Sequence, residues 1–262
     1  MKAISFKLSG KTACFRKPDV NVYTYFTYNN IHKPALLGLL GAVIGLGGYT
    51  RLHDENEWLK KEKKPLNEGY PEFYEKLCHL KISITPLAPN GYFSKKIQGF
   101  NNSTGYANAI GAKNEERISS YNLQTFEQWL ENPQWQIMIL DDGSDEFQKI
   151  SEYLLGGKSV FIPYLGKNDH PAKIDQKSVQ PITLLEANGN FIDSLFIKNF
   201  EKLDGWARES DDNPYFFQEI SPYSLQKDYH FYEYESLVFT NYEITNIPED
   251  TYHYDGKNYS FI

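Results

Sequence analysis

The sequence contains little cysteine and lacks the short motifs of common enzyme and metal sites. Its two cysteines, Cys14 and Cys78, match no metal-ligand spacing, so we expect free thiols in a reducing cytoplasm. The six histidines form neither an HExxH nor an HxH arrangement. No phosphate-binding GxxxxGK[ST] loop and no GxSxG nucleophile motif occurs. We therefore expect neither a metal nor another cofactor.

Long hydrophobic runs are also scarce. The longest extends from Ala35 to Leu46 and is shorter than the roughly 18–20 residues that span a bilayer. The opening segment MKAISFKLSGK lacks the apolar stretch of a signal peptide. We interpret the run as a buried helix, and we expect a cytoplasmic protein without a membrane partner.

The charge is unevenly distributed along the chain. The net charge is −7, but residues 1–125 hold 17 Lys and Arg against 10 Asp and Glu, a net of +7. Residues 126–262 hold 10 against 24, a net of −14. Such an asymmetry indicates two faces with different partners, the first of which suits a polyanion. Chance clustering without any partner is the alternative.

The order of periodic segments predicts an α+β fold. Alternating apolar residues predict strands, and Pro34 followed by the apolar run, and Ser144 before helical spacing, predict helices. The predicted strands are 2–8, 80–85, 134–140 and 158–165, and the predicted main helices are 34–46 and 145–155. This order is the ferredoxin-like β-α-β-β-α-β plan. A glycine- and asparagine-rich insert at 89–123 separates its two middle strands.

We divide the chain into two regions. Residues 1–170 form the ferredoxin-like domain with its insert, and residues 171–262 form an acidic, tyrosine-rich, β-rich extension. Within the extension, Asn188-Gly189 predicts a type I′ hairpin, and residues 230–240 predict a strand.

Basic residues lie beside aromatic ones near the N-terminus. Arg16, Lys17 and Lys33 flank an extended aromatic segment at 23–28, a combination that suits single-stranded RNA. The start of the helix at Pro34 offers free backbone N–H groups to a phosphate. A tyrosine-rich strand with solvated lysines remains the simpler interpretation. The lysines of the insert fit either an RNA-binding hairpin or a surface loop.

Two segments resemble a known family. ISFKLSGKTACFRKPDVN followed by YFTYNNIHKPALLGLLGAVIGLGGY, and later FIPYLGKNDHPA, are similar to the Cas-five family of the CRISPR-associated RAMP superfamily, in its type I-B branch. The resemblance implies an RRM-type domain with a β-hairpin thumb. It implies a non-catalytic subunit of a Cascade surveillance complex that caps the 5′ handle of the crRNA. The implied partners are the crRNA, the backbone RAMP subunit and the large subunit, with target DNA bound indirectly.

The resemblance also suggests residues that contact RNA. They are Arg16, Lys17, Tyr28, Lys33, Tyr49, Lys95, Lys96, Lys113, Arg117 and Lys167. One branch of the family cleaves pre-crRNA without metal, using a tyrosine, a lysine and a histidine. Tyr49 could be that tyrosine, but the thumb segment contains no histidine. We therefore expect no enzymatic activity, and a metal-independent endoribonuclease is the alternative.

Overall fold

The computed structural model describes residues 1–19, 23–103, 122–200, 205–209 and 213–262. The chain is mixed α/β, with mostly antiparallel sheets and few helices in the described ranges. A central four-stranded sheet contains β1 (Lys2–Ser9), β4 (Ile82–Pro86), β7 (Gln134–Leu140) and β8 (Lys173–Thr183). Its strand order is β4-β7-β1-β8, and each neighbouring pair is antiparallel.

Two helices pack in the core beside this sheet. They are α1 (Lys33–Ile44) and α4 (Asp145–Leu155), and both were predicted. The imidazole of His32 caps α1 by accepting from the Ala35 N–H, and Gly45 ends it in the left-handed region. Ser144 caps α4 as predicted. Between them along the chain lie α2 (Tyr49–Lys61) and α3 (Glu72–Leu77).

The alternation of β1 places its side chains in two apolar layers. Ile4, Phe6 and Leu8 join the main core with the helices, as the pattern predicted. Ala3 lies on the opposite face in a smaller cluster that includes Phe261. Both faces of the sheet are therefore covered, and the second layer comes from the C-terminal region.

The predicted insert forms a β-hairpin where it is described. β5 (Lys95–Ser103) pairs with β6 (Asn122–Glu131) in antiparallel register. β6 also pairs with β2 (Thr12–Ala13) and, in parallel, with β3 (Thr24–Tyr25). The extended aromatic segment predicted at 23–28 forms a strand only at β3, and residues 20–22 lie outside the description. The hairpin base is thus joined to the N-terminal segment.

The C-terminal region adds two small sheets. Their strands are β9 (Leu185–Glu186), β10 (Phe196–Ile197), β11 (Phe216–Leu225), β12 (Tyr232–Thr240), β13 (Thr251–Tyr254) and β14 (Lys257–Ser260). The orders are β10-β12-β11 and β14-β13-β9. The strand predicted at 230–240 is confirmed. The hairpin predicted at Asn188-Gly189 is wrong, because β9 pairs with β13 and β10 pairs with β12 instead.

The strand predicted at 158–165 is also wrong. This segment runs past the end of α1, where the Val160 and Phe161 N–H groups donate to the carbonyls of Val43 and Ala42 at 2.9 and 3.0 Å. Pro163 has no N–H for a ladder. The place beside β1 is taken by β8, so the fourth strand of the sheet comes from residues 173–183.

Candidate nucleic-acid interface

The base of the β5–β6 hairpin carries an exposed basic and aromatic surface. The Arg16 guanidinium lies 3.6 Å from the centre of the Tyr25 ring, a cation–π contact that joins the N-terminal segment to β3. Tyr23 is 88% exposed, and Phe26 is partly exposed beside it. Rings that are open to solvent beside a guanidinium can stack on unpaired bases while the cation meets a phosphate.

Lys17 lies on the same segment but has a carboxylate partner. Its ammonium is 3.6 Å from Glu219 in β11 and 4.9 Å from the centre of the Tyr28 ring. Both carboxylate oxygens of Glu219 also accept from the Asn29 N–H at 3.0 Å. Burial raises the pKa of Glu219, while that backbone hydrogen bond and Lys17 oppose the rise. Glu219 therefore connects the acidic region to the basic one.

Tyr28 and Lys33 lie in the interior, although both were predicted to contact RNA. Tyr28 is almost fully buried, and burial raises its pKa far above the usual value. The Lys33 ammonium donates to the backbone oxygen of Ile262 at 3.1 Å, and burial lowers its pKa to about 8. Neither side chain reaches the surface in this structure, so the geometry provides no direct contact from them to RNA.

Two predicted lysines stand at the start of β5. Lys95 lies 5.4 Å from the centre of the Tyr92 ring, and burial lowers its pKa. Lys96 points to the other face, where its ammonium is 3.8 Å from Glu131 and 5.9 Å from the centre of the Trp129 ring. The charges of Glu219 and Lys17 also act on the pKa of Lys95, so Lys95 lies near both of them. The predicted residues Lys113 and Arg117 lie outside the described residues.

Exposed apolar side chains continue along the hairpin. Ile97 on β5 is 62% exposed, and Phe100 and Phe126 are each about two-fifths exposed. Gly99 stands opposite Phe126 in the register, and the Phe126 ring covers it closely. Exposed aromatic rings near basic side chains can stack on the unpaired bases of single-stranded RNA.

Lys167 is partly exposed, and its ammonium contacts the hairpin. Its ammonium lies 2.8 and 2.7 Å from the two carboxylate oxygens of Glu127 on β6 and 3.8 Å from Asp169. Burial disfavours the charged form, but the hydrogen bonds and charge of Glu127 outweigh it, so the pKa of Lys167 is raised.

Tyr49 is far from the hairpin in sequence and begins α2. Its ring centre is 5.8 Å from that of His230 and 6.4 Å from that of Phe73. Burial raises the pKa of Tyr49 to about 12, so at neutral pH the phenol can donate a proton but does not act as a base. Nothing in the sequence indicated the contact with His230, because the two residues lie 181 positions apart in the chain.

Neither a cluster of metal ligands nor a single membrane-spanning helix occurs in the described ranges. No group of three or more His, Cys, Asp or Glu is placed there to hold a metal ion. No single helix in these ranges is long and apolar enough to cross a bilayer. α1 and α2 taken together have the length and composition of a membrane span, but the pair is bent by 75° at the break between them.

The comparisons with known proteins identify a fold. No protein-family model and no curated protein matches the sequence. A chain of a solved "CRISPR RNA-guided surveillance complex" is similar over 95% of both chains, with a TM-score of 0.50 and 13% identity. A CRISPR protein from Archaeoglobus fulgidus is similar over 99% of this chain and 98% of that one, with a TM-score of 0.45 and 13% identity. The first likeness shows that this chain shares the fold of that complex's chain.

Proposed function

We propose that this chain is a non-catalytic RNA-binding subunit of a CRISPR effector complex of the Cascade type, of the Cas-five family and its type I-B branch. The observation that carries the proposal is the basic and aromatic surface around Arg16 and Tyr25 at the hairpin base. The shared fold with a chain of a surveillance complex, along almost the full length, supports the same function.

The architecture supports the finer assignment to a ferredoxin-like domain. The strand order β4-β7-β1-β8, with α1 after β1 and α4 after β7, is the one expected for a β-α-β-β-α-β chain. The β5–β6 hairpin lies between β4 and β7, at the position that the resemblance assigns to the thumb. In this proposal the hairpin and the Arg16 surface grip the 5′ handle of a crRNA.

Copurification tests this function. The tagged chain is expressed with a CRISPR array and the neighbouring candidate subunits, and the RNA that accompanies it is sequenced. We expect a multi-subunit particle whose guides share one repeat-derived 5′ end. A chain that emerges alone and free of RNA would contradict the proposal.

The pairing of Tyr49 with His230 favours a second candidate, metal-independent cleavage of repeat RNA. A protonated phenol beside an imidazole could supply a proton to the leaving oxygen. Incubating the purified chain with repeat RNA in EDTA decides between the two. Cleavage that disappears in Tyr49→Phe would establish the endoribonuclease, and intact RNA would support the binding role.

A further inference from the structure

The loop of residues 165–170, which we call the hairpin clasp, packs tightly on the segment beside the hairpin. The Cys14 N–H donates to the Leu165 carbonyl at 3.1 Å. Gly166 has a φ of +86°, and a Cβ there would lie 1.9 Å from the Cys14 carbonyl oxygen. Only glycine can adopt this φ and come so close to the Cys14 carbonyl oxygen. This close contact fixes the position of the clasp against the end of β2.

The second contact of the clasp is an ion pair with the hairpin itself. The Glu127 side chain is only 6% exposed, and both of its oxygens face the Lys167 ammonium. The Trp129 indole N–H also donates to Glu127, at 3.1 Å. A buried carboxylate depends on its cation, because an unpaired charge in the interior is strongly unfavourable.

The third contact is made by His170. Its Nδ1 lies 2.7 Å from the Thr12 hydroxyl, and Thr12 pairs with Glu131 at the base of β6. Its ring meets the Trp129 ring edge-on, with centres 4.9 Å apart. The clasp therefore contacts both β2 and β6, whose paired residues form the hairpin base.

We propose that Lys167 is a positioning residue whose ion pair with Glu127 holds the β5–β6 hairpin in its orientation on the body of the protein. The Lys167 ammonium already faces the carboxylates of Glu127 and Asp169, so we assign it to holding the hairpin rather than to a direct contact with RNA. The claim that Lys167 matters for RNA binding rests on the proposed function. The claim that Lys167 holds the hairpin does not depend on that function.

Hydrogen exchange of the full chain tests the proposal without RNA. Lys167→Met should accelerate amide exchange in the peptides of β5 and β6 by about tenfold, since local opening exposes those amides. Adding Glu127→Gln should recover part of this protection, because a neutral amide leaves no buried charge unpaired. Lys167→Arg should retain the protection, and Lys177→Met, an exposed lysine of β8, is the matched control.

Peptides of β1 and β7 report global unfolding. If Lys167→Met also accelerates exchange in β1 and β7, the variant has lost global stability. The double variant Lys167→Met with Glu127→Gln is then compared with the wild type. It should keep β1 and β7 protected while β5 and β6 exchange faster than in the wild type. Unchanged exchange in β5 and β6 in both variants would overturn the proposal.

Binding of a synthetic RNA with a repeat-derived 5′ end separates positioning from direct contact. A positioning role predicts weaker binding of Lys167→Met with the same salt dependence as the wild type. If Lys167 contacts a phosphate directly, Lys167→Met should lower the salt slope by about one, and Glu127→Gln should leave RNA binding unchanged. That result would overturn the proposal. If the wild type fails to bind this RNA, the proposed function fails, while the exchange result still decides the role of Lys167.

Discussion

The basic side chains near the hairpin differ in how much of their charge is available to a ligand. Arg16 lies on the face of an aromatic ring, whereas Lys17 and Lys167 face carboxylates within 4 Å. Lys33 is buried and bonded to a backbone oxygen. Because a cation on a ring retains its hydrogen-bonding groups for a phosphate, Arg16 is the strongest candidate for a direct contact.

Replacing Arg16 therefore tests the surface most directly. Arg16→Gln should weaken binding of single-stranded RNA of any sequence and lower the slope of log affinity against log salt by about one. Lys158→Gln, at an exposed lysine after α4, is the control and should change neither quantity. Fluorescence anisotropy at several salt concentrations measures both. An unchanged slope in Arg16→Gln would remove this residue from the interface.

His32 predicts how stability depends on pH. Burial lowers its pKa to about 3, and its Nδ1 must stay unprotonated to accept from the Ala35 N–H. In the unfolded chain its pKa is near 6.5, so between these values the unfolded state binds more protons and stability falls as pH falls. From pH 7 to 5 the wild type should lose about 2 kcal/mol more than His32→Asn.

Urea unfolding at each pH measures this difference. Asparagine also caps helices but does not titrate, so the stability of this variant should change less with pH. Contributions from the other histidines are shared by both proteins and cancel. Parallel pH profiles for the two proteins would contradict the assignment.

At the scale of elements, α1 shows why a helix tolerates several glycines. A Cβ on Gly41 would lie 2.6 Å from the Phe73 Cβ of α3, whereas one on Gly38 would lie 3.7 Å from the Phe73 ring. Gly41 thus allows close packing of α1 against a helix of the same chain. A side chain at position 41 would therefore clash with α3, whereas position 38 has room for a methyl group.

Alanine substitutions at these positions should have opposite effects. Gly41→Ala should destabilise the protein by about 1–3 kcal/mol, because the first side-chain carbon of Phe73 cannot move without its backbone. Gly38→Ala should stabilise it by up to about 1 kcal/mol through helix propensity. The free energy of unfolding in urea measures both. Stabilisation by Gly41→Ala would show that the contact between α1 and α3 is not tight.

At the scale of the whole molecule, the two halves share one core. The main apolar cluster includes Ile4 and Leu37 from the first half and Leu237, Phe239 and Ile262 from the C-terminal region. β8 completes the central sheet, and Glu219 bonds to Asn29. The acidic C-terminal region is therefore part of the folded body that presents the basic surface.

This shared core predicts cooperative unfolding. The full chain should show one thermal transition, with coincident midpoints by tryptophan fluorescence and far-UV circular dichroism. A chain ending at residue 170 should not fold, because it lacks the fourth strand of the sheet and part of the core. Two separate transitions, or a folded 1–170 fragment, would show that the halves are independent.

Local patterns determined much of this protein. Alternation predicted β1, β4 and β7. Pro34 and the apolar run predicted α1, and the Ser144 cap with helical spacing predicted α4, because these signals lie within a few residues of each other. The insert between β4 and β7 was recognisable by its composition, and Arg16 and Lys17 by their aromatic neighbours. These features depend on neighbours in sequence, which the chain displays directly.

Contacts between distant residues were decided only by the tertiary structure. The segment at 158–165 has a strand-like pattern, but Pro163 and the segment's contacts with α1 make it a loop. β8 occupies the fourth position in the sheet instead. Burial removed Tyr28 and Lys33 from the surface, and the Glu127 carboxylate neutralised Lys167. Each outcome depends on contacts between residues that are tens to hundreds of positions apart in the chain. The solvation and charge pairing of a side chain in such a contact determine what it can bind.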